Sequence, residues 1–350
     1  MLKPGTLSPE AERTLDALGS LLDSGENAAP AVAAAVEVLS NLHPSTISQV
    51  ARIIADTARL RRWRPEPSFL QALFRSRLSD KEQLLQNPDL AFLFLFHSDG
   101  RIRECALQRI RGALPSPFLF AAVAYRLNDW AEPVRAAALA CAKRCFSQTQ
   151  AGIIVAAAEA LLLRQDSWRR WDREREVVEA AYARADVANA LADFIRDSKT
   201  GPSSRILRLM LRRDVLDRHL LTLASQALQP PVRALAVETL AAGRAKWVVG
   251  SEWKWVNKPG GLGIHVPAYE YRPLSGVHDP LPVIERAACD RSPIVRRAAL
   301  DAAIEHRLHG EAVERIAATL LTDKSPSIRE RATFILARRG ILARRGKTEA

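Results

Sequence analysis

DRSPIVRRAALDAAIEHR, residues 290–307, is the stretch whose reading decides the fold. In it an apolar residue is followed by Arg, by Ala three residues later, and by another apolar residue one turn on: Val295, Arg296, Ala299, Ala303. The same skeleton recurs at Ile328-Arg329-Ala332-Leu336, Val134-Arg135-Ala138-Ala142, Val232-Arg233-Ala236-Leu240 and Ile102-Arg103-Ala106-Ile110. Apolar residues spaced like Ile328, Ala332, Ile335 and Leu336 share one face of a helix. Alanine in the middle of that stripe lets two helix axes approach closely. A larger side chain there would cost about 1–3 kcal/mol through overpacking.

Each such helix has an apolar partner just before it. The pairs read 88–96 with 101–113, 117–128 with 133–146, 281–289 with 293–307, and 311–321 with 326–338. The five arginines stand 32, 98, 63 and 33 residues apart. The gap of 98 holds two degenerate pairs, 152–164 with 172–185 and 187–197 with 202–213, before 214–228 begins the unit of Arg233. A helical hairpin repeated at this period cannot bury its apolar face alone, so its neighbours must stack on it. The expected fold is all-α, a right-handed superhelix of about eight or nine helix pairs.

The gap of 63 has another cause. Residues 243–279 abandon the helical period for tryptophan, glycine and strand-like alternation: Trp253 and Trp255, Ile264 and Val266, Tyr269 and Tyr271. Lys258-Pro259-Gly260-Gly261 is turn material between the two runs. A β-hairpin-like insertion between two helix pairs is expected. At the N-terminus, 1–87 reads as helical hairpins without the Arg-Ala signature: 10–22, 28–39, a longer helix from Pro44 to Trp63, and one over 67–78. The organisation is therefore 1–87 degenerate hairpins, 88–242 repeats, 243–279 insertion, 280–340 repeats and 341–350 a frayed basic tail.

The repeated core, with Asp290 six residues before Arg296, Asp323 before Arg329 and Asp129 before Arg135, resembles HEAT repeats. It is most similar to the short kind also found in phycobilin-lyase-type proteins, with the pattern D-x-x-x-x-V-R-x-x-A-x-x-A/L. The resemblance covers 88–242 and 280–340. It implies that Asp and Arg bond along the stack as a ladder that satisfies loop amides and holds the register. His97 and Ala227 stand where the Asp would precede Arg103 and Arg233, so those two joints are expected to be looser. HEAT arrays serve as scaffolds, receptors, nucleic-acid binders and occasionally enzymes, so the resemblance specifies architecture more than activity.

Charge and composition narrow the rest. Lys and Arg exceed Asp and Glu by 51 to 39, a net charge of +12, which favours acidic partners or is an ordinary solvated surface. The longest apolar runs, 90–96 and 152–158, are far short of a bilayer span, and the N-terminus shows no signal-peptide pattern, so a cytoplasmic location is expected. Cys105, Cys141, Cys145 and Cys289 form no C-x-x-C and read as small buried hydrophobes. His306 and His309 have a spacing two metal ligands could use, but no third ligand accompanies them. No cofactor or metal is expected.

Three candidate surfaces remain. Trp247, Trp253, Trp255, Tyr269 and Tyr271 of the insertion either grip a partner or pack the insertion against its own helices. Arg205, Arg208 and Arg212 share a helix face, Arg103 and Arg109 decorate an earlier second helix, and Arg59, Arg61, Arg62 and Arg64 flank Trp63. Such stripes would suit a phosphate backbone, or they are solvated faces. Trp168, Trp171 and Asp172 weakly resemble the Trp-and-Asp site of the alkylpurine DNA glycosylases built from HEAT-like repeats. The expected function is a non-enzymatic scaffold or adaptor binding another protein through its concave face and the insertion. The alternative is nucleic-acid binding by the arginine-rich second helices, with glycosylase-like chemistry as its remote extension.

Overall fold

A computed structural model describes residues 7–24, 26, 28–61, 78–276 and 279–348, with side chains as far as 338 except at 166. The chain divides into two compact units, Met1–Ala190 and Leu191–Ala350. In the first, α1 (Pro9–Ser24), α2 (Ala29–Ser40) and α3 (Ile47–Thr57) precede α4 (Asp80–Gln86), α5 (Leu90–Phe94), α6 (Gly100–Arg109), α7 (Pro117–Arg126), α8 (Glu132–Cys145), α9 (Ala151–Leu162) and α10 (Arg175–Ala183). α11 (Ala185–Asp197) follows. The second unit contains α12 (Ser203–Met210), α13 (Leu220–Gln226) and α14 (Pro230–Ala242). An antiparallel ribbon of β1 (Arg244–Asn257) and β2 (Leu262–Pro273) interrupts the helices, which resume as α15 (Pro280–Ala288), α16 (Pro293–Glu305), α17 (Glu311–Leu320) and α18 (Pro326–Thr348).

Within each unit the helices pair and stack as the period demands. α5 packs on α6 and α7 on α8, while the second helices α6 and α8 pack on each other. In the second unit α14, α16 and α18 stack in the same way, with α13, α15 and α17 forming the other row. All five arginine-bearing segments lie on second helices: α6, α8, α14, α16 and α18. Their repeated alanines, Ala106, Ala138, Ala236, Ala299 and Ala332, are completely buried. One continuous core then runs from Ala234 and Val237 through Ile284, Val295 and Leu300 to Ile328 and Ala332. Proline enters several helices in their first turn, at Pro117, Pro133, Pro230, Pro280 and Pro293, where its missing N–H leaves no bond unmade.

The arginines join one repeat to the next. Arg103 donates from Nε and Nη2 to both oxygens of Asp129, at 3.0 and 2.9 Å. Arg233 does the same to Asp290, at 2.8 and 2.9 Å, and Arg296 to Asp323, at 2.6 and 3.0 Å. The remaining nitrogen, Nη1, turns back to the carbonyl six residues upstream: His97 for Arg103, Asp129 for Arg135, Ala227 for Arg233, Asp290 for Arg296 and Asp323 for Arg329. Each Asp accepts, besides the fork, the amide two residues on, at Ala131, Ser292 and Ser325. Every joint thus fixes two loops and the spacing between them.

This geometry changes the expectation for two joints. The residue six before each Arg contributes its backbone carbonyl to that Arg, so His97 and Ala227 serve Arg103 and Arg233 in this respect as Asp would, without the carboxylate that receives a fork at Asp290 and Asp323. His97 also takes over the loop-capping bond, its Nδ1 accepting from the Asp99 amide at 3.0 Å, while Nε2 lies 3.3 Å from Asp80. At Ala227, Gln229 holds the loop instead, donating to the carbonyls of Ser198 and Thr200.

Elsewhere α3 ends at Thr57 rather than reaching Trp63, and Arg59 turns the chain with φ 56°. Arg62, Trp63, Arg64 and the helix expected over 67–78 lie outside the described residues. α18 runs on to Thr348, through the end expected to fray. Cys141 and Cys145 are buried, but Cys105 is half-buried and Cys289 is exposed, because Cys289 follows α15 at its C-terminal cap.

Two outcomes follow from the ladder. Asp129→Ala would strand Arg103 and Arg126, both of which bond its buried carboxylate, and is expected to cost about 3–5 kcal/mol in urea unfolding. Arg52→Ala breaks an exposed pair and is expected to cost under about 1 kcal/mol. For pH, burial pushes the Asp129 carboxyl up, but its bonds from Arg103 and Arg126 more than offset this and hold it below the usual range. Arg296 does the same for Asp323. A depressed folded-state pKa stabilises above the unfolded value of about 3.9 and is lost as pH falls through the folded value. The stability gap between the parent and Asp129→Asn is therefore expected to persist from neutral pH to about 4 and to close below it, read from urea midpoints across pH.

Candidate interaction surface

The ribbon leaves α14 where Gly243, with φ 62°, caps the helix in the left-handed region. Its two ends are closed on each other: the Leu274 amide donates to the Gly243 carbonyl at 3.0 Å, and Arg244 lies opposite Pro273. The insertion is neutral to the repeat register. Arg296 and Asp323 are 27 residues apart and Arg233 and Asp290 are 57, an excess of 30, which is the length of Arg244–Pro273. Arg272 roots it by donating to both oxygens of the buried Asp217, at 2.7 Å each, and to the carbonyls of Leu211 and Arg213. The Ser275 amide reaches the same carboxylate.

Strand geometry sorts the side chains. Residues opposite each other share a face and successive residues alternate. The pairing slips between Val248 and Gly250, and the extra residue reverses the parity of β1 beyond it. Arg244, Lys246, Val248, Trp253 and Trp255 of β1 therefore share a face with His265, Tyr269 and Tyr271 of β2. Ring contacts agree. Trp253 meets Trp255 edge-on at 5.7 Å and His265 at 5.1 Å, and Tyr269 lies 6.4 Å from Tyr271. The Arg244 guanidinium sits 4.5 Å from the centre of the Tyr271 ring, and the Lys246 ammonium 5.4 Å from that of Tyr269. Gly263 gives the Trp253 indole room, because a Cβ there would fall 2.3 Å from the ring.

This face is open. Trp253 and Trp255 are each 49% exposed, Tyr271 50% and Tyr269 42%. On the reverse face Leu262 and Ile264 are exposed as well, while Ala245 at the root is buried and Trp247 half-buried. β1 packs on α12 and α14, while β2 is held at the root through Arg272. Of the five aromatic residues singled out in the sequence, four share this face, and Trp247 lies on the other, half-buried near the root. Sequence reading missed Arg244, Lys246, His265 and Gly263, because their place on this face depends on the bulge.

At the root, a cavity of about 420 Å³ lies between α14, α16 and β1, lined by Glu238, Thr239, Arg244, Lys246, Asp301 and Glu305, among others. The Glu238 carboxyl is raised, first by its partial loss of solvent and then by Asp301 and Glu305, against the pull of Lys246 and Arg208. His306 opens on this cavity and His309 on a separate one of about 320 Å³ between α16, α17 and α18. The two histidines do not converge, and among the described residues no cluster of His, Cys, Asp and Glu suits a metal ion.

The other candidate residues fall elsewhere. Arg205 and Arg208 are exposed on α12, but Arg212 lies beyond its end at Met210 and is partly covered. Arg103 is buried on Asp129 and leaves the basic stripe. Arg109 is half-buried in the last turn of α6. Trp171 is only 4% exposed, packed edge-on against Trp168 at 4.7 Å, which in turn meets Tyr125. Asp172 next to it is exposed, and the Arg170 amide ties this segment to Asn128. A ring buried in this way has no free face for a nucleobase. Trp130, exposed in the ladder loop after Asp129, carried no sequence signal.

Residues 281–303, which span most of α15 and α16, match the HEAT repeat associated with sister chromatid cohesion. That is the same hairpin whose arginine bonds Asp323, and it marks the repeat as HEAT-type. No curated protein and no solved structure matches the chain. Among the described residues no helix is long and apolar enough to cross a membrane.

Gly263→Ala is expected to displace the Trp253 indole. Tryptophan emission and near-ultraviolet circular dichroism should change while the far-ultraviolet helical signal stays within experimental error.

Proposed function

We propose that this chain is a HEAT-type scaffold that holds another macromolecule, with the ribbon as its grip. One observation carries the reading: a ribbon whose root is locked by Arg272 and Asp217 presents Trp253, Trp255, Tyr269 and Tyr271 together to solvent. A two-stranded sheet on its own is marginal in water, and large aromatic residues left open on a fixed support are what binding hot spots are made of. The helix pairs supply the rigid support. The reading favours binding over catalysis because the aromatic face offers contact area and orientation. The family description, a repeat associated with sister chromatid cohesion, is compatible with work inside an assembly; a single matched hairpin carries the repeat type and not that role.

A photo-crosslinking residue at Val256, near the exposed tip, should give a discrete adduct with the full chain in its native cells. The same residue at exposed Arg52 should not. Equal or absent adducts at both positions would overturn the reading.

A further inference from the structure

We infer that the aromatic face of the ribbon binds single-stranded nucleic acid. The inference rests on the ribbon being the grip and specifies what it grips. On this face every charged side chain is a cation: Arg244 and Lys246 lie against Tyr271 and Tyr269, whereas Glu252 and Glu270 belong to the reverse face. Four exposed rings and His265 share this face, with the two cations at its root end beside the tyrosines. That is the pairing a flexible polyanion with planar faces requires: bases stack on rings, and phosphates meet the charges at the root end. A duplex keeps its base faces stacked inside and cannot use the rings, so single strands are selected. An acidic peptide would satisfy the cations and leave the rings without planar partners.

The support extends beyond the ribbon. β1 packs on α12, whose exposed Arg205 and Arg208 continue the positive region, and Arg208 and Lys246 both act on Glu238. Two surfaces that are far apart in sequence, the tryptophan insertion and the arginine stripe, are thereby neighbours within one unit. The carboxylates of Glu238, Asp301 and Glu305 line the cavity at the root. Arg244, Lys246 and Arg208 offset them in part, and the rings lead outward from these cations toward Trp253 and Trp255. The chain's net charge of +12 favours the same partner at long range.

The test is fluorescence anisotropy with a labelled strand of about 15 nucleotides, as DNA and as RNA, against a duplex of the same sequence. At about 50 mM salt the single strand should bind at least about ten-fold tighter than the duplex, and its affinity should fall steeply as salt rises. Trp253→Ala with Trp255→Ala should weaken it at least about ten-fold, and the double Phe variant should restore part of that loss. Lys246→Gln should make the salt dependence shallower by about 0.7 in log–log slope. All of these side chains are exposed, and unchanged far-ultraviolet circular dichroism controls for folding. No binding at low salt, equal binding of the duplex, or indifference to the tryptophan pair would overturn the inference. If the Val256 crosslink then yields a polypeptide, the ribbon is still a grip and its partner is a protein.

Discussion

The second unit and the repeats of the first depend on one interaction, a guanidinium that faces two ways. Its fork holds the carboxylate of the following repeat while its third nitrogen holds the carbonyl of its own loop. Arginine suits this because its donors are fixed in a plane and two of them match the two oxygens of a carboxylate. Lysine would supply the charge without the fork. Burying such a pair is costly unless nearly every donor and acceptor is satisfied, and here the Asp also takes a loop amide and the Arg a carbonyl. The ion pair therefore acts less as a source of net stability than as a device for register. Alanine-lined helices can slide on one another with little change in apolar area, and the fork permits one offset.

The same device explains how the ribbon can exist. Thirty residues enter between an arginine and its aspartate, and the pair still meets at the bond lengths seen where nothing intervenes. Closure of the ribbon at Gly243 and Leu274 makes its two ends behave as one peptide step. Register is thus insulated from whatever the insertion carries, and its sequence is free to answer to something other than the repeats. Arg272 and Asp217 supply the opposite property at the root, a fixed attachment, so that an element exposed on both faces does not swing as a loose loop.

Most of the architecture was legible because it rests on local rules. The period, the alanines, the prolines at helix starts and the Arg positions each constrain a few neighbouring residues. From Leu90 on the helix pairs lie where their patterns were, whereas α4 (Asp80–Gln86), without the Arg-Ala signature, was not foreseen. What was not legible depends on three-dimensional closure. The ladder runs from Arg103, Arg233 and Arg296 to the Asp of the next repeat. His97 and Ala227 therefore still serve their own arginines through a backbone carbonyl, which every residue has, and what they lack is a carboxylate to receive a fork from the repeat before. The bulge at Val249 is set by pairing across the ribbon, and without it Lys246 and Trp253 would fall on opposite faces. Trp171 and Arg103 illustrate the converse error. Residue type suggested contact with a ligand, but Trp171 packs on its near neighbour Trp168 and Arg103 is held by Asp129, 26 residues on.

An exposed aromatic face has to be explained by something other than folding. Fully burying a large apolar side chain gains about 1.5–3 kcal/mol, and the ribbon forgoes about half of that at Trp253, Trp255, Tyr269 and Tyr271, each of which is about half exposed. The root of β1 does lie on α12 and α14, where Ala245 is buried and Trp247 half-buried. Reversal of parity at the bulge directs the outer aromatic residues to the face bearing Arg244 and Lys246 instead, and Gly263 clears the surface on which Trp253 lies. An arrangement built only to stabilise the ribbon would have turned its largest rings toward the helices. Here they are collected on one side, with Arg244 and Lys246 beside the tyrosines, on a root held by a buried carboxylate, so their placement answers to something other than the stability of the ribbon.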